Sequence, residues 1–253
     1  PVKRLLILGG TGDAAELAAK AAQMPGIETI SSFAGRTRPR PLPPAIPAET
    51  TRIGGFGGVA GLTNYLLQQR IDLLIDATHP FAAQISFNAA AAATAAGIPR
   101  LTLIRPAWEK TTGDRWIEVE NYQEAACLLP RLAQRIFLSI GRQELPAFAH
   151  LQDLWFLMRA IDPPPPNMPI PPGKLRLERG PFSFEDERSQ LQQNRIEAIV
   201  SKKSGGDATY AKIAAARSLG LPVVMVQRPP IPPGESASDL DSALSWLEIQ
   251  HEN

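Results

Sequence analysis

Cysteine is nearly missing from this chain: Cys127 stands alone among 253 residues. One thiol cannot close an internal disulfide, so no disulfide framework holds the fold, and Cys127 reads as a small buried hydrophobe on an amphipathic helix. Histidine is almost as scarce, at three residues (His79, His150 and His251), and no Cys/His group has metal-ligand spacing. No metal site is expected. Charge of either sign is not in excess, with 26 basic and 25 acidic residues, and no basic block stands out. That argues against a nucleic-acid partner. No secretory leader is evident, and no apolar run reaches the roughly 18 residues that suggest a membrane span. The Ala-rich stretch Ala89–Ala96 is too short and too weakly apolar. The expectation is a cytoplasmic protein with no membrane partner. Serine-hydrolase and Walker A signatures are also missing.

Proline, in contrast, is plentiful, with clusters at Pro39–Pro47, Pro163–Pro172 and Pro229–Pro233. Proline fits neither helix interiors nor central strands, so these clusters are expected to be exposed connections. Between them, short apolar runs alternate with helical stretches. Leu5–Leu8, Ile27–Phe33, Arg52-Ile53, Ile71–Ile75 and Arg100–Ile104 read as strands, with helices over Asp13–Gln23, Val59–Arg70 and Phe81–Ala96. After a crossing at Trp108–Asp114 the alternation resumes. Strands are expected at Trp116–Val119, Ile136–Ile140, Trp155–Ile161, Ile196–Val200 and Pro222–Val226. Helices are expected at Tyr122–Leu132, Ser183–Gln193, Ala208–Leu219 and Ser238–Gln250. Short continuous apolar strands suit parallel sheets buried on both faces. The expectation is two α/β domains, residues 1–107 and 108–253, with no sequence repeat between them.

Ligands of open parallel sheets bind beyond the carboxyl ends of the strands. There this chain places Gly9–Asp13, Ser31–Arg36, Gly54–Gly58, Asp76–Gln84, Gly141–Glu144 and Lys202–Tyr210, six unusual loops expected on one edge. Gly9-Gly10-Thr11-Gly12-Asp13 joins a buried strand to a helix and suits a phosphate at the helix N-terminus. An NAD reader usually has an acid at the end of its second strand. Ser31, Ser32 and Arg36 stand there instead, which suits a 2′-phosphate and favours NADPH over NADH. Asp76, Thr78 and His79 bring an acid, a hydroxyl and an imidazole to one strand end. His79 is a candidate acid. Equally, Asp76 and Thr78 would cap the next helix, with Pro80 at its first position. Lys202-Lys203-Ser204-Gly205-Gly206, with Arg142 on a neighbouring loop, gathers cations, hydroxyls and backbone N–H groups for an anion.

In this order the six loops resemble the precorrin-6A reductase family of cobalamin (corrin) biosynthesis. The resemblance rests on Leu8–Asp13, Ser31–Arg36, Arg52–Gly58, Asp76–Ala82, Gly141–Glu144 and Lys202–Gly206, and covers nearly the whole chain. Lys203 stands where the family often has Asn. The resemblance implies two Rossmann-like α/β domains in tandem with a cleft between them. It also implies an NADPH- or NADH-dependent reductase that converts precorrin-6A, or its cobalt form, to the dihydro product.

On that reading Gly9, Gly10, Thr11, Gly12, Asp13, Ser31, Ser32, Arg36, Gly55, Asp76 and Thr78 are expected to bind the cofactor. His79, Gln84, Arg142, Lys202, Ser204, Gly205 and Gly206 are expected to bind a carboxylate-rich tetrapyrrole. The proton would come from His79, Tyr210 or solvent. A monomer or homodimer is expected. The competing readings are an NADPH-linked reductase or epimerase of another polycarboxylate, and a dinucleotide-binding regulatory module without turnover.

Overall fold

The computed structural model describes residues 1–34 and 50–253. The chain runs through β1 (Lys3–Leu8), α1 (Gly12–Ala21), β2 (Ile27–Phe33), β3 (Thr51–Ile53), α2 (Gly58–Gln68), β4 (Leu73–Asp76), α3 (Ala83–Ala96) and β5 (Arg100–Leu103). It continues with β6 (Arg115–Val119), α4 (Tyr122–Leu132), β7 (Arg135–Ser139), a 3-10 helix (Arg142–Phe148), β8 (Trp155–Ala160) and β9 (Gly173–Leu177). Next come α5 (Phe184–Gln193), β10 (Ala198–Lys202), α6 (Ala211–Leu219) and β11 (Pro222–Val226). The chain closes with β12 (Glu235–Ala237) and α7 (Leu240–Glu252). Among the described residues no helix is long and apolar enough to cross a membrane.

Two compact units result: Pro1–Pro106 with Pro229–Asn253, and Ala107–Arg228. Each holds a six-stranded sheet, ordered β12-β5-β4-β1-β2-β3 in the first and β6-β11-β10-β7-β8-β9 in the second. Every strand pair is parallel. This is the α/β architecture that the apolar runs predict.

The boundary of the second domain differs from the expected 108–253. The third proline cluster leads the chain back to the first unit, where β12 pairs with β5 from Glu235↔Leu101 to Ala237↔Leu103. Ala243, Trp246 and Leu247 of α7 then join Leu5, Ile7, Leu17 and Ile75 in one buried cluster. The drive is apolar burial, which a terminal helix obtains by covering a sheet face left open. Leu6, Leu8 and Leu74 point to the other face, against Leu62 and Leu66 of α2 and Ala89, Ala92 and Ala93 of α3. Coverage on both sides explains why Leu5–Leu8 is apolar without alternation.

In the second unit Phe137, Leu157, Ile199, Val223 and Met225 pack beneath Leu191 of α5 and Ile213, Ala215 and Ala216 of α6. Strands β9 and β12 carry no apolar run in the sequence, and each is a sheet edge. An edge strand needs less apolar surface than a central one.

In both sheets the strand order reverses beside a central strand, at β1/β4 and at β7/β10. At reversals of this kind open parallel sheets place a crevice beyond the carboxyl ends of the strands. The six loops therefore do not share one edge: four follow β1–β4 of the first sheet, and two follow β7 and β10 of the second.

Candidate functional site

The first unit encloses a cavity of about 440 Å³ at its reversal point. Of the residues singled out from the sequence, Gly9, Gly10, Ser32, Gly55, Thr78, His79 and Gln84 line it. So do Phe56 and Asn88, which sequence reasoning missed. Asn88 had a signal, since it lies one helical turn from Gln84 and accepts from its Nε2 at 3.1 Å.

Gly10 adopts φ +115°, which lets the chain leave β1 sharply and bare its amides. The N–H groups of Gly10, Gly12 and Asp13 donate to no group among the described residues. Thr11 does other work. Its Oγ1 accepts from Ala14 N–H at 3.1 Å and donates to the Ala77 carbonyl at 2.9 Å, tying the start of α1 to the exit of β4. The Asp13 carboxylate pairs with Arg105 at 2.9 Å.

Alternation along β2 separates the two serines. Ser32 lines the cavity, while Ser31 does not and is buried with no partner for its Oγ among the described residues. Arg36 lies outside the described residues. Asp76 is not a lining residue either. Its Oδ1 accepts from Thr78 N–H at 3.0 Å and Thr78 Oγ1 at 2.6 Å, and its buried Oδ2 has no partner among the described residues. Asp76 thus shapes the loop that presents Thr78 and His79. Nor does it cap α3, whose N-cap is Ala82, with no side-chain cap. Pro80 precedes the helix rather than opening it. His79 Nδ1 accepts from Phe81 N–H at 3.1 Å, which leaves the proton of the neutral ring on Nε2.

Arg52 fixes the wall made by Gly54–Gly58. Its guanidinium donates to the carbonyls of Gly54 at 2.6 Å and Gly55 at 2.8 Å, and lies 3.8 Å from the Phe56 ring centroid. A Cβ on Gly61 would meet the Phe56 carbonyl oxygen at 1.7 Å, so only glycine lets this loop settle on α2.

At the reversal point of the second unit, the loop after β10 turns its carbonyls inward. Arg228 Nε donates to the Lys203 carbonyl at 2.9 Å, and Arg228 Nη2 to that of Ser204 at 2.6 Å. Trp108 Nε1–H donates to the Gly206 carbonyl at 2.7 Å. Gly205 and Gly206 take φ of 75° and 74°, and their N–H groups donate to nothing among the described residues. Held carbonyls and amides without an acceptor among the described residues are the pattern that suits an anion.

Lys202 has its ammonium pulled down by burial, which the Glu144 carboxylate partly offsets. Glu144 is on the 3-10 helix, and it adds to the burial that pushes the Tyr122 phenol up. Lys203 turns elsewhere, to Glu118 at 3.0 Å. Arg142 donates to the Pro163 carbonyl at 2.9 Å. Tyr210 packs against Trp108, and its hydroxyl bonds to Arg217, which holds Asp114 at 2.9 Å. Among the described residues no cluster of three metal-ligating side chains occurs.

The expected substrate residues are therefore divided, with His79 and Gln84 on the first unit and Arg142, Lys202, Ser204, Gly205 and Gly206 on the second. A family model described as Precorrin-6x reductase CbiJ/CobK matches residues 4–248. The chain is 51% identical over 245 residues to a precorrin-6A reductase of Rhodococcus erythropolis, covering 96% of this chain and 97% of that protein. It is 42% identical over 244 residues to a precorrin-6A reductase of Rhodobacter capsulatus, covering 96% and 95%. The solved structure of a CobK precorrin-6A reductase matches at a TM-score of 0.89, with 40% identity over 98% of each chain.

Proposed function

The chain belongs to the precorrin-6A reductase family and is an oxidoreductase of cobalamin biosynthesis, and we propose that it binds NADPH on its first unit and substrate carboxylates on its second. Precorrin-6A reductases depend on NADPH or NADH, so the epimerase and the non-catalytic regulatory module give way. The observation that carries the proposal is the pair of glycine loops at the two reversal points, each with amides that find no acceptor among the described residues. Metal-free precorrin-6A is the substrate we favour, since the relatives at 51% and 42% identity are precorrin-6A reductases. The cytoplasm, where NADPH is regenerated, is the setting we favour.

The cavity of the first unit fits a dinucleotide. Free N–H groups at Gly10, Gly12 and Asp13 suit a pyrophosphate at the N-terminus of α1. Ser32 and the glycine wall at Gly54–Gly58 suit the ribose beyond the end of β2. Arg36, at that same strand end in the sequence, is the group we assign to the 2′-phosphate. Gly9, Gly10, Ser32 and Gly55 would hold the nicotinamide coenzyme here, and when bound it would supply the hydride for reduction of a ring double bond. Gly9 and Gly10 let the backbone approach it closely, while Thr78, His79 and Gln84 fix the opposite wall. We keep His79 as the proton donor to the other carbon of that bond: its ring would first take a proton and release Nδ1 from Phe81 N–H, and the imidazolium would then give up its Nε2 proton and return to the neutral form. Tyr210 accepts from Arg217 and keeps its own O–H, and it lies on the second unit, whereas His79 lines the cavity of the first. Lys202, Ser204 and the amides of Gly205 and Gly206 hold carboxylate arms of the macrocycle.

Steady-state reduction of precorrin-6A with each coenzyme tests this. NADPH should give a much lower KM than NADH, and Arg36→Ala should raise the NADPH KM alone. Equal effects on both coenzymes would remove the 2′-phosphate role. Lys202→Ala should raise the KM for precorrin-6A roughly tenfold and leave the coenzyme KM unchanged, as for loss of one charge-assisted bond. The reverse pattern would move this loop to the cofactor.

A further inference from the structure

Lys212, in the first turn of α6, has no part in the mechanism above. It is 5% exposed, and lysine is seldom buried so deeply without a partner. No hydrogen bond holds its amine among the described residues. The Nζ lies 5.5 Å from the Trp108 ring centroid, over the same indole whose Nε1–H anchors the Gly206 carbonyl. The amine and the glycine loop therefore share one packing element.

The charges facing Lys212 are already matched among themselves. Glu187 of α5 is bonded at both oxygens by Arg159 of β8, at 3.0 and 2.5 Å. Arg159 also reaches Glu178 at 3.2 Å, and Arg176 of β9 lies 3.6 Å from the same carboxylate. Lys202 of β10 faces the amine from the sheet, with Glu144 opposite it in turn. Arg217 of α6 itself is committed to Asp114 and Tyr210. Arg159 and Arg176 balance Glu187 and Glu178, so a protonated Lys212 is the odd cation in a buried group. Burial is the largest influence on it. Glu187 opposes that effect, Arg159 and Lys202 add to it, and the ammonium is pulled down to about 7. An anion arriving nearby reverses the balance, because an opposite charge favours the protonated amine.

We propose that Lys212 is the proton-loading residue of the second unit: its amine takes one proton from solvent as a substrate carboxylate settles on the Gly205–Gly206 loop. The step is –NH2 plus H⁺ giving –NH3⁺, with no change at the substrate. Lys212 acts through the loop and Trp108, and is a positioning residue rather than a catalytic one. The inference rests on the reading that this loop holds carboxylates.

Calorimetric titration of precorrin-6A into the full chain, preloaded with NADP⁺ to prevent turnover, tests it. Buffers of different ionisation enthalpy give the number of protons exchanged. The wild type should take up a substantial fraction of a proton between about pH 7 and 9, and little near pH 6, where the amine already carries its proton. Lys212→Met should remove most of that uptake, with any remainder falling to Lys202, and its folding is favoured because a buried amine is replaced by an apolar side chain of similar length. Lys212→Arg, with a permanent charge, should likewise bind with little uptake. Equal uptake in the wild type and Lys212→Met would overturn the proposal. If Lys202→Ala leaves both affinity and uptake unchanged, the carboxylate reading of the loop fails. If Lys202→Ala weakens binding while Lys212→Met keeps full uptake, only the role of Lys212 fails.

Discussion

Arg228 holds the Ser204 carbonyl at 2.6 Å through Nη2 while its Nε holds that of Lys203 at 2.9 Å. One guanidinium thus fixes two successive peptides just ahead of Gly205 and Gly206. Planar, forked donors do this well, and a lysine cannot reproduce the geometry. Arg228→Lys should raise the KM for precorrin-6A about tenfold, with the coenzyme KM and the melting temperature nearly unchanged. Bonds to charged groups of roughly 1.5–3 kcal/mol set that scale. A loss confined to the coenzyme KM would show that the loop serves another ligand.

The wall of the first cavity should be equally sensitive at a position that touches no ligand. Gly61→Ala would place a methyl 1.7 Å from the Phe56 carbonyl oxygen, so the Gly54–Gly58 loop must move. Overpacking of this kind costs about 1–3 kcal/mol. We expect a lower melting temperature and at least tenfold weaker NADPH binding, followed by nucleotide fluorescence. Unchanged binding would mean that the loop does not contact the cofactor.

Thr11→Val keeps the shape of the side chain and removes both of its bonds, to Ala14 N–H and the Ala77 carbonyl. Loss of an N-cap costs about 0.5–2 kcal/mol. Denaturant unfolding should show that loss, with precorrin-6A affinity intact. A variant of wild-type stability would show that the cap contributes nothing.

Stability should also depend on pH through Lys212. Its ammonium titrates near 7 in the folded chain and near 10.4 in the unfolded one. Between those values the unfolded chain binds more protons, so stability rises with pH. Below pH 7 both states are protonated and the burial penalty is present in full. Lys212→Met should therefore be more stable than the wild type at pH 6.5, with the gap closing towards pH 10. Glu187 keeps its bidentate partner Arg159 in this variant, so no new charge is orphaned. Parallel stability curves for the two proteins would rule out a titrating Lys212.

The central strands were legible because their apolar runs are long enough to require burial on both faces, as at Leu5–Leu8 and Ile136–Leu138. The loops at their ends were legible because glycine, histidine and lysine interrupt those runs abruptly. Strands β9 and β12 were not, since edge pairing needs only backbone groups and leaves little trace in residue choice. The return of α7 to the first sheet was illegible for a related reason: an amphipathic helix does not reveal which open face it will cover. Within the site, residue type marked the right loops but not the direction of each side chain. Ser31 and Ser32 differ only in pleat, and the hydrogen bonds of Asp76 and Tyr210 turn both side chains to structural partners. Lys212 sat in a plain helical stretch, and its burial is a tertiary property.

Strand β12 and helix α7 give this chain an order of assembly. A ribosome delivers the first five strands early, but the segment that completes their sheet emerges after the whole of the other unit. Until then β5 presents an open edge, and Leu5, Ile7 and Leu17 lack the cover of Trp246 and Leu247. Residues 1–106 therefore cannot complete their sheet until residues 229–253 follow, so a chain cut between β11 and β12 would leave the unit made first with an open edge and a bare core face.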